Sequence, residues 1–224
     1  MTAFIPLLAF AILAQGWVTT FPVQPSSLAT EGESAYFILK PGHQATFEGG
    51  GGKLVVTVLH ETMTVGGVPT RVVEEREWKG TELVEVSRNY FAIDPKSGDV
   101  YYFGEDVDAY KKGKVVNHDG SWHHGSNGAT FGLMMPGTPA VGMRFYNEQA
   151  KGVAMDRAEV VSVTDRLTTA AGAFDRCVKT RETTPLEKLA REYKLYAPGV
   201  GLIKDGDMVL VGINSSTPQR PTPQ

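Results

Sequence analysis

The segment VVTVLHETMTVGGVPTRVVEERE (55–77) aligns without a gap on VVSVTDRLTTAAGAFDRCVKTRE (160–182) at one constant offset. Identical pairs include Val55/Val160, Val58/Val163, Gly67/Gly172, Arg71/Arg176, Val73/Val178, Arg76/Arg181 and Glu77/Glu182. Inside each copy the apolar positions recur with a period of two, the signature of a strand, and the glycines sit where a hairpin would turn. A strand–turn–strand unit has an apolar face that it cannot bury alone, and a second copy supplies the cover. After a one-residue shift Leu83 and Tyr90 meet Leu189 and Tyr196, so each copy reads as a three-stranded meander over about 54–103 and 159–211. The expected fold is all-β: antiparallel sheet built from two similar meanders, closed into a partly open barrel or a sandwich.

Outward from the two copies the pattern continues. ELVEVSRNYFAI (82–93), DVYYF (99–103) and LAREYKLYA (189–197) alternate like strands. Turn chemistry at Lys79-Gly80, Pro95 to Gly98, Lys112-Gly113 and Asp205-Gly206 suits antiparallel hairpins. FEGGGGK (47–53) has neither the spacing of a phosphate-binding loop nor a following helix, and reads as a hairpin tip. PLEKLAREYKL (185–195) opens like a helix at Pro185, Leu186 and Leu189, but alternation at Tyr193, Leu195 and Ala197 favours a strand. Residues 36–212 therefore read as one β-rich domain, and 224 residues that are 42% hydrophobic are enough for one core.

The ends read differently. Phe4 to Ala14 form an apolar run of signal-peptide length, short of the ~20 residues that span a bilayer, although no Lys or Arg precedes it. Residues 1–16 are thus signal-peptide-like, which places the protein in the periplasm or outside the cell, with no stable membrane span once the segment is removed. TTFPVQPSSLATEGES (19–34) has the composition of an extended linker, assigned to 17–35, and the Pro- and Gln-rich end, 213–224, that of a disordered tail. The single cysteine, Cys177, excludes an intramolecular disulfide, and its strand-like setting AFDRCVKT reads as a buried thiol. A net charge of −3 offers no basic face for nucleic acid.

GAFDRCVKT followed by YAPGVGLIKDG (196–206) resembles the closing strands of the DUF3108-like domains of exported bacterial proteins. Gly172, Phe174, Lys179, Tyr196, Ala197, Gly199, Val200, Gly201 and Leu202 carry the likeness, with Ile203 where valine is usual. It covers the last fifty or so residues. The resemblance implies an antiparallel, partly open β protein of the cell envelope or beyond, and no catalytic motif comes with it.

Two constellations are candidates for function. Mid-strand charges of both signs recur in the two copies and suit either a solvated sheet face or a polar ligand groove. If the meanders enclose a groove, Arg76, Glu77, Arg181 and Glu182 occupy equivalent places in it. Tyr90, Tyr101, Tyr102, Tyr193 and Tyr196 then supply its aromatic wall. The second constellation is GSWHHGSNG (120–128) with its flank, where His118, Asp119, His123 and His124 are a metal-ligand set only if a turn brings the adjacent histidines together. Glu105, Asp106 and Asp108 lack the frame of a calcium loop and read as an acidic turn. No nucleophile elbow, H-E-x-x-H helix or phosphate loop is present. The function expected is that of an exported, non-catalytic domain that binds a ligand, an envelope component or a partner protein on an open sheet face. The alternative is a metal-binding, hydrolytic protein using the His118–His124 loop, the one place where a divalent cofactor is implied.

Overall fold

The computed structural model describes residues 16–215; the signal-peptide-like segment up to residue 15 and the tail from residue 216 lie outside the described residues. The chain is all-β and antiparallel. A small hairpin of β1 (Gly32–Ser34) and β2 (Phe37–Leu39) precedes a 15-stranded sheet. The first copy of the repeat forms β4 (Gly52–Val65), β5 (Val68–Lys79) and β6 (Glu82–Ile93), after β3 (His43–Gly49). Then come β7 (Val100–Lys111), β8 (Lys114–Asn117), β9 (Trp122–His123), β10 (Thr130–Met135), β11 (Arg144–Tyr146) and β12 (Glu148–Gln149). The second copy forms β13 (Arg157–Thr169), β14 (Gly172–Thr183) and β15 (Glu192–Ala197), followed by β16 (Gly201–Asp205) and β17 (Met208–Ser215). Every turn signal read from the sequence lies at a hairpin tip, and residues 184–191 form no helix.

The sheet runs β11-β13-β14-β15-β16-β17-β3-β4-β5-β6-β7-β10-β12, with β8 and β9 added to β7. Its two edge strands, β11 and β12, are separated in sequence only by Asn147, so the sheet curls into a nearly closed barrel with an unsealed seam. The central buried cluster draws Val58, Val73 and Phe91 from the first copy and Val160, Val178 and Tyr196 from the second, so each meander covers the other across the interior. Arg76 and Arg181 both project away from it.

At the seam Gly132 of β10 lies so close to the carbonyls of Tyr146 and Asn147 that a β-carbon would overlap both. Gly132→Ala should therefore cost about 2 kcal/mol, the usual penalty for forcing atoms into a filled site. Gly212→Ala, where no atom lies within 4 Å of the new carbon, should cost almost nothing. Urea unfolding of the two variants checks the contrast.

The stretch expected as a linker is extended but not solvated. Val18 hydrogen-bonds with β11 through Arg144 and Tyr146, and the Gln149 side chain of β12 donates to Thr19 O at 2.7 Å, so residues 18 and 19 cross the seam. Trp17 stacks under the Arg157 guanidinium at 4.4 Å. Phe21, Val23 and Leu28 then cover an outer cluster of Val68, Val72, Tyr90, Tyr101 and Phe103. Composition misled here because a few apolar anchors at irregular spacing suffice to fix a polar strap against a sheet. At the other end of the domain β17 runs to Ser215, three residues into the stretch expected as disordered.

Candidate functional site

On β5 the residues that follow Val73 into the barrel are Glu75 and Glu77, because side chains two apart share a face. The wall opposite carries the same parity: Val178, Thr180 and Glu182 on β14, then Lys194 paired across to Thr180 and, on β16, Asp205 paired across to Lys194. The Lys194 ammonium sits 3.2 Å from Glu182 and 3.3 Å from Asp205. On β7 a bulge brings in a further acid. Tyr90 faces Gly104 while Phe91 faces Tyr102, which leaves Phe103 unpaired and turns both Tyr102 and Glu105 inward. Gly104, at φ 152°, permits this: a β-carbon there would lie 2.5 Å from the Trp122 carbonyl of β9. Glu148, 3% exposed, enters from the seam and accepts a hydrogen bond from the Asp156 amide at 2.5 Å.

These side chains surround a cavity of about 180 Å³ lined by Glu75, Glu105, Glu148, Asp156, Glu182 and Lys194, with Tyr102, Asn89, Asn147 and Phe91. A neighbouring, largely apolar cavity of about 100 Å³ shares Glu75, Phe91, Met134 and Lys194 with the first; its lining includes Phe37, Phe47, Val56, Val58 and Tyr196, with His43 and Asp205 as further polar members. Glu75 also borders a wider opening at the β3–β4 hairpin tip, whose rim carries the exposed Glu77, Lys79 and Asp207. Phe37, Phe91, Tyr102 and Trp122 form a continuous aromatic row, with ring centroids 5.1, 4.8 and 5.2 Å apart.

The electrostatics follow from five carboxyls facing one ammonium: Glu148 is buried, Glu75, Glu105 and Glu182 are half-buried, and Asp156 is exposed at the edge. Burial pushes the Glu75 carboxyl up to about 7, with Lys194 opposing and Asp205, Glu85 and Glu77 reinforcing. Burial likewise raises Glu105 to about 7, opposed by the nearby Tyr102 hydroxyl and Trp122 indole N–H, which favour the ionised form. Glu148, buried beside Asp156, is held well above the ordinary carboxylate range. Burial opposes the charge on Lys194, but Glu182 and Asp205 outweigh it and keep the ammonium protonated. Carboxyls displaced toward neutrality around a polar-lined cavity make this the candidate functional site.

Of the residues expected in a groove, Tyr102, Glu182 and Tyr196 line these cavities and Glu77 stands at the opening. The rest face outward. Arg76 pairs with Glu74 at 2.7 Å, Arg181 pairs with Glu159, and Lys179 sits 4.9 Å over the exposed Tyr193 ring. Tyr90 donates to Asp106 at 2.5 Å within the cluster under the strap, where Tyr101 also lies. Glu75 and Lys194 belong to the mid-strand charges that suit a polar groove, whereas Glu105, Glu148, Asp156 and Asn147 carry no groove signal in the sequence. Glu105, Asp106 and Asp108 belong to β7 and not to a turn.

The histidine set does not converge. His118 bonds Asp108 at 2.9 Å on the surface, His123 bonds Asp106 at 2.9 Å, and His124 packs against Phe103 and Phe131, while the Asp119 amide caps Asn117. Each imidazole is committed to a different neighbour, and among the described residues no three His, Cys, Asp or Glu side chains come together as a metal requires. Cys177 is buried, with its thiol pushed up by burial. Among the described residues no helix is long and apolar enough to cross a membrane. No family model, curated protein or solved structure matches the chain.

Proposed function

We propose that this protein is an exported, non-catalytic binding domain that holds a small molecule inside its barrel, and not on an open face of the sheet. The observation that carries the reading is the cavity between the two meanders. An interior needed only for stability would be filled with apolar side chains at crystal-like density, whereas here ionisable groups surround about 180 Å³ of free space. Export rests on the apolar run from Phe4 to Ala14 and on the likeness of the closing strands to DUF3108-like domains.

Filling the space tests the proposal. Ala154 lines the polar cavity, and Ala154→Leu projects new carbons into it. Small molecules that raise the melting temperature of the wild-type chain should lose at least about tenfold in affinity for this variant, ~1.4 kcal/mol. Arg181→Ala, on the outer face, should bind them unchanged. Equal loss in both variants, or none in Ala154→Leu, would place binding elsewhere.

A further inference from the structure

We infer that the ligand is an amphipathic organic cation, a primary amine whose ammonium sits among Glu105, Glu148 and Asn147 and whose hydrocarbon part occupies the adjoining apolar cavity. This rests on the cavity-binding reading and adds the chemical class.

Unspent hydrogen-bonding capacity supplies the first reason. Asn147 is 4% exposed and lines the polar cavity; its Nδ2 donates to Leu133 O at 3.0 Å, while its Oδ1 has no donor. A buried amide oxygen left unmatched costs roughly 1–3 kcal/mol, so a site that keeps one is shaped for an incoming donor. Of the donors that line the cavity, Lys194 is engaged on Glu182 and Asp205 and the Tyr102 hydroxyl on Asn89 Oδ1 at 2.6 Å; the unmatched Trp122 Nε1 lies outside the lining. What the cavity lacks is a group with several N–H donors and a positive charge, which an ammonium provides.

Charge is the second reason. Glu75, Glu105, Glu148, Asp156 and Glu182 face Lys194 alone, and the opening adds Glu77, Glu192, Asp205 and Asp207 against Lys79. An anion would have to keep these carboxyls protonated, whereas a cation gains from each one that ionises as it enters. A bare divalent ion is a poor fit, since among the described residues no three acidic or imidazole groups converge on one point. The third reason is the shared wall. Phe91 and Met134 line both the polar space and the adjoining one bordered by Phe37, Phe47, Val56 and Val58, and Phe91 stacks on Tyr102 at 4.8 Å. An aromatic pair beside carboxylates suits an ammonium through cation–π attraction, and the apolar side takes a short alkyl or aryl chain.

Binding such a cation requires ionised carboxylates, so it expels the protons that burial leaves on Glu75, Glu105 and Glu148 at neutrality. The groups facing these three include Glu77 and Glu85, Asp156, Glu182, Lys194 and Asp205. The Lys194 ammonium favours ionisation of Glu75, the Asp156 amide that of Glu148, and Tyr102 and Trp122 that of Glu105, while the neighbouring carboxylates oppose it. Affinity for the amine should therefore climb from pH 6 to pH 8.

Isothermal titration of the full chain with n-hexylamine, 1-hexanol and hexanoate, three probes of one size and three charges, decides the matter. The expected result is saturable binding of hexylamine, at least tenfold weaker binding of hexanol and none of hexanoate, with heats that depend on buffer ionisation because protons are released. The isosteric Glu105→Gln/Glu148→Gln variant should lose tenfold or more for hexylamine and nothing for hexanol, which also shows that it is folded. Hexanol binding as tightly as hexylamine, or hexanoate being preferred, overturns the cation class and leaves the cavity reading standing. Silence from all three probes, with native mass spectrometry of the exported protein also showing no bound small molecule, overturns both.

Discussion

Arg71→Met should destabilise the fold by about 4 kcal/mol, because it leaves several strand and strap carbonyls without a donor at roughly 1–3 kcal/mol for each that is buried. Arg71 is 3% exposed and holds the strap to the barrel. In β4 the register breaks between Val58 and Thr62, leaving the carbonyls of residues 59 to 61 without ladder partners. Arg71 Nη1 donates to His60 O at 2.7 Å and reaches the Leu59 and Glu61 carbonyls, while Nε and Nη2 donate to Thr30 O at 3.1 Å and Glu31 Oε1 at 2.6 Å. One guanidinium thus satisfies a bulge and staples the strap. The ion pair itself matters little: Glu31 is 63% exposed, so Glu31→Ala should cost no more than ~1 kcal/mol. Arg71→Lys should fall between the two, because a point charge cannot reproduce the planar fork. Urea midpoints of the three variants check the ranking, and a loss for Glu31→Ala as large as for Arg71→Met would assign the energy to charge instead of to backbone satisfaction.

Arg71 also marks where reading from sequence ends. Its repeat mate, Arg176, is exposed at φ 51° beside Asp175, so an identical residue in an aligned copy carries a different job. What the alignment did convey is face. Val73/Val178, Arg76/Arg181 and Glu77/Glu182 keep their inward or outward sense in both hairpins because a constant offset preserves parity. The third strand needed a one-residue shift to align, and such a shift exchanges the two faces of a strand. Hence Tyr90 packs opposite Val72 on the outside while Tyr196 packs opposite Val178 within. Parity from Val73 would have placed Glu75 inside, and this was the legible part of the site. Glu105 was not legible, since the bulge at Phe103 and Gly104 that turns it inward depends on β9 lying against β7. Glu148 and Asn147 owe their positions to the seam, which exists only once the two ends of the sheet meet.

Raising the pH from 5 to 8 should lower the melting temperature by an amount of order 10 °C, with most of the loss between about pH 5 and pH 7 and a level profile above. The Glu75 and Glu105 carboxyls ionise near 4.5 in the unfolded chain and near 7 in the folded one, so between these values the native state holds more protons. Stability from each is fully present below about 4.5 and is gone above about 7, at most about 3 kcal/mol per group at 1.4 kcal/mol per pH unit of displacement. Glu148 and Glu182, also raised by burial, add in the same direction. Two groups act otherwise. His43, lowered by burial, destabilises the native state as the pH falls below 6.5, and Glu159, lowered by Arg144 and Arg181 against its burial, matters only below about 4.5. Lys194 stays protonated throughout. With several raised carboxyls against one histidine the net slope between about pH 5 and pH 7 is downward. Because Glu75 and Glu105 are only half-buried, solvent screening brings the two-group ceiling down to about 3 kcal/mol, which in a domain of this size corresponds to roughly 6–12 °C. Glu75→Gln/Glu105→Gln should match the wild type at pH 5, exceed it at pH 8 and flatten the profile between. A melting temperature that is level or rising across this range in the wild type would mean that water reaches these carboxyls and that burial does not displace them.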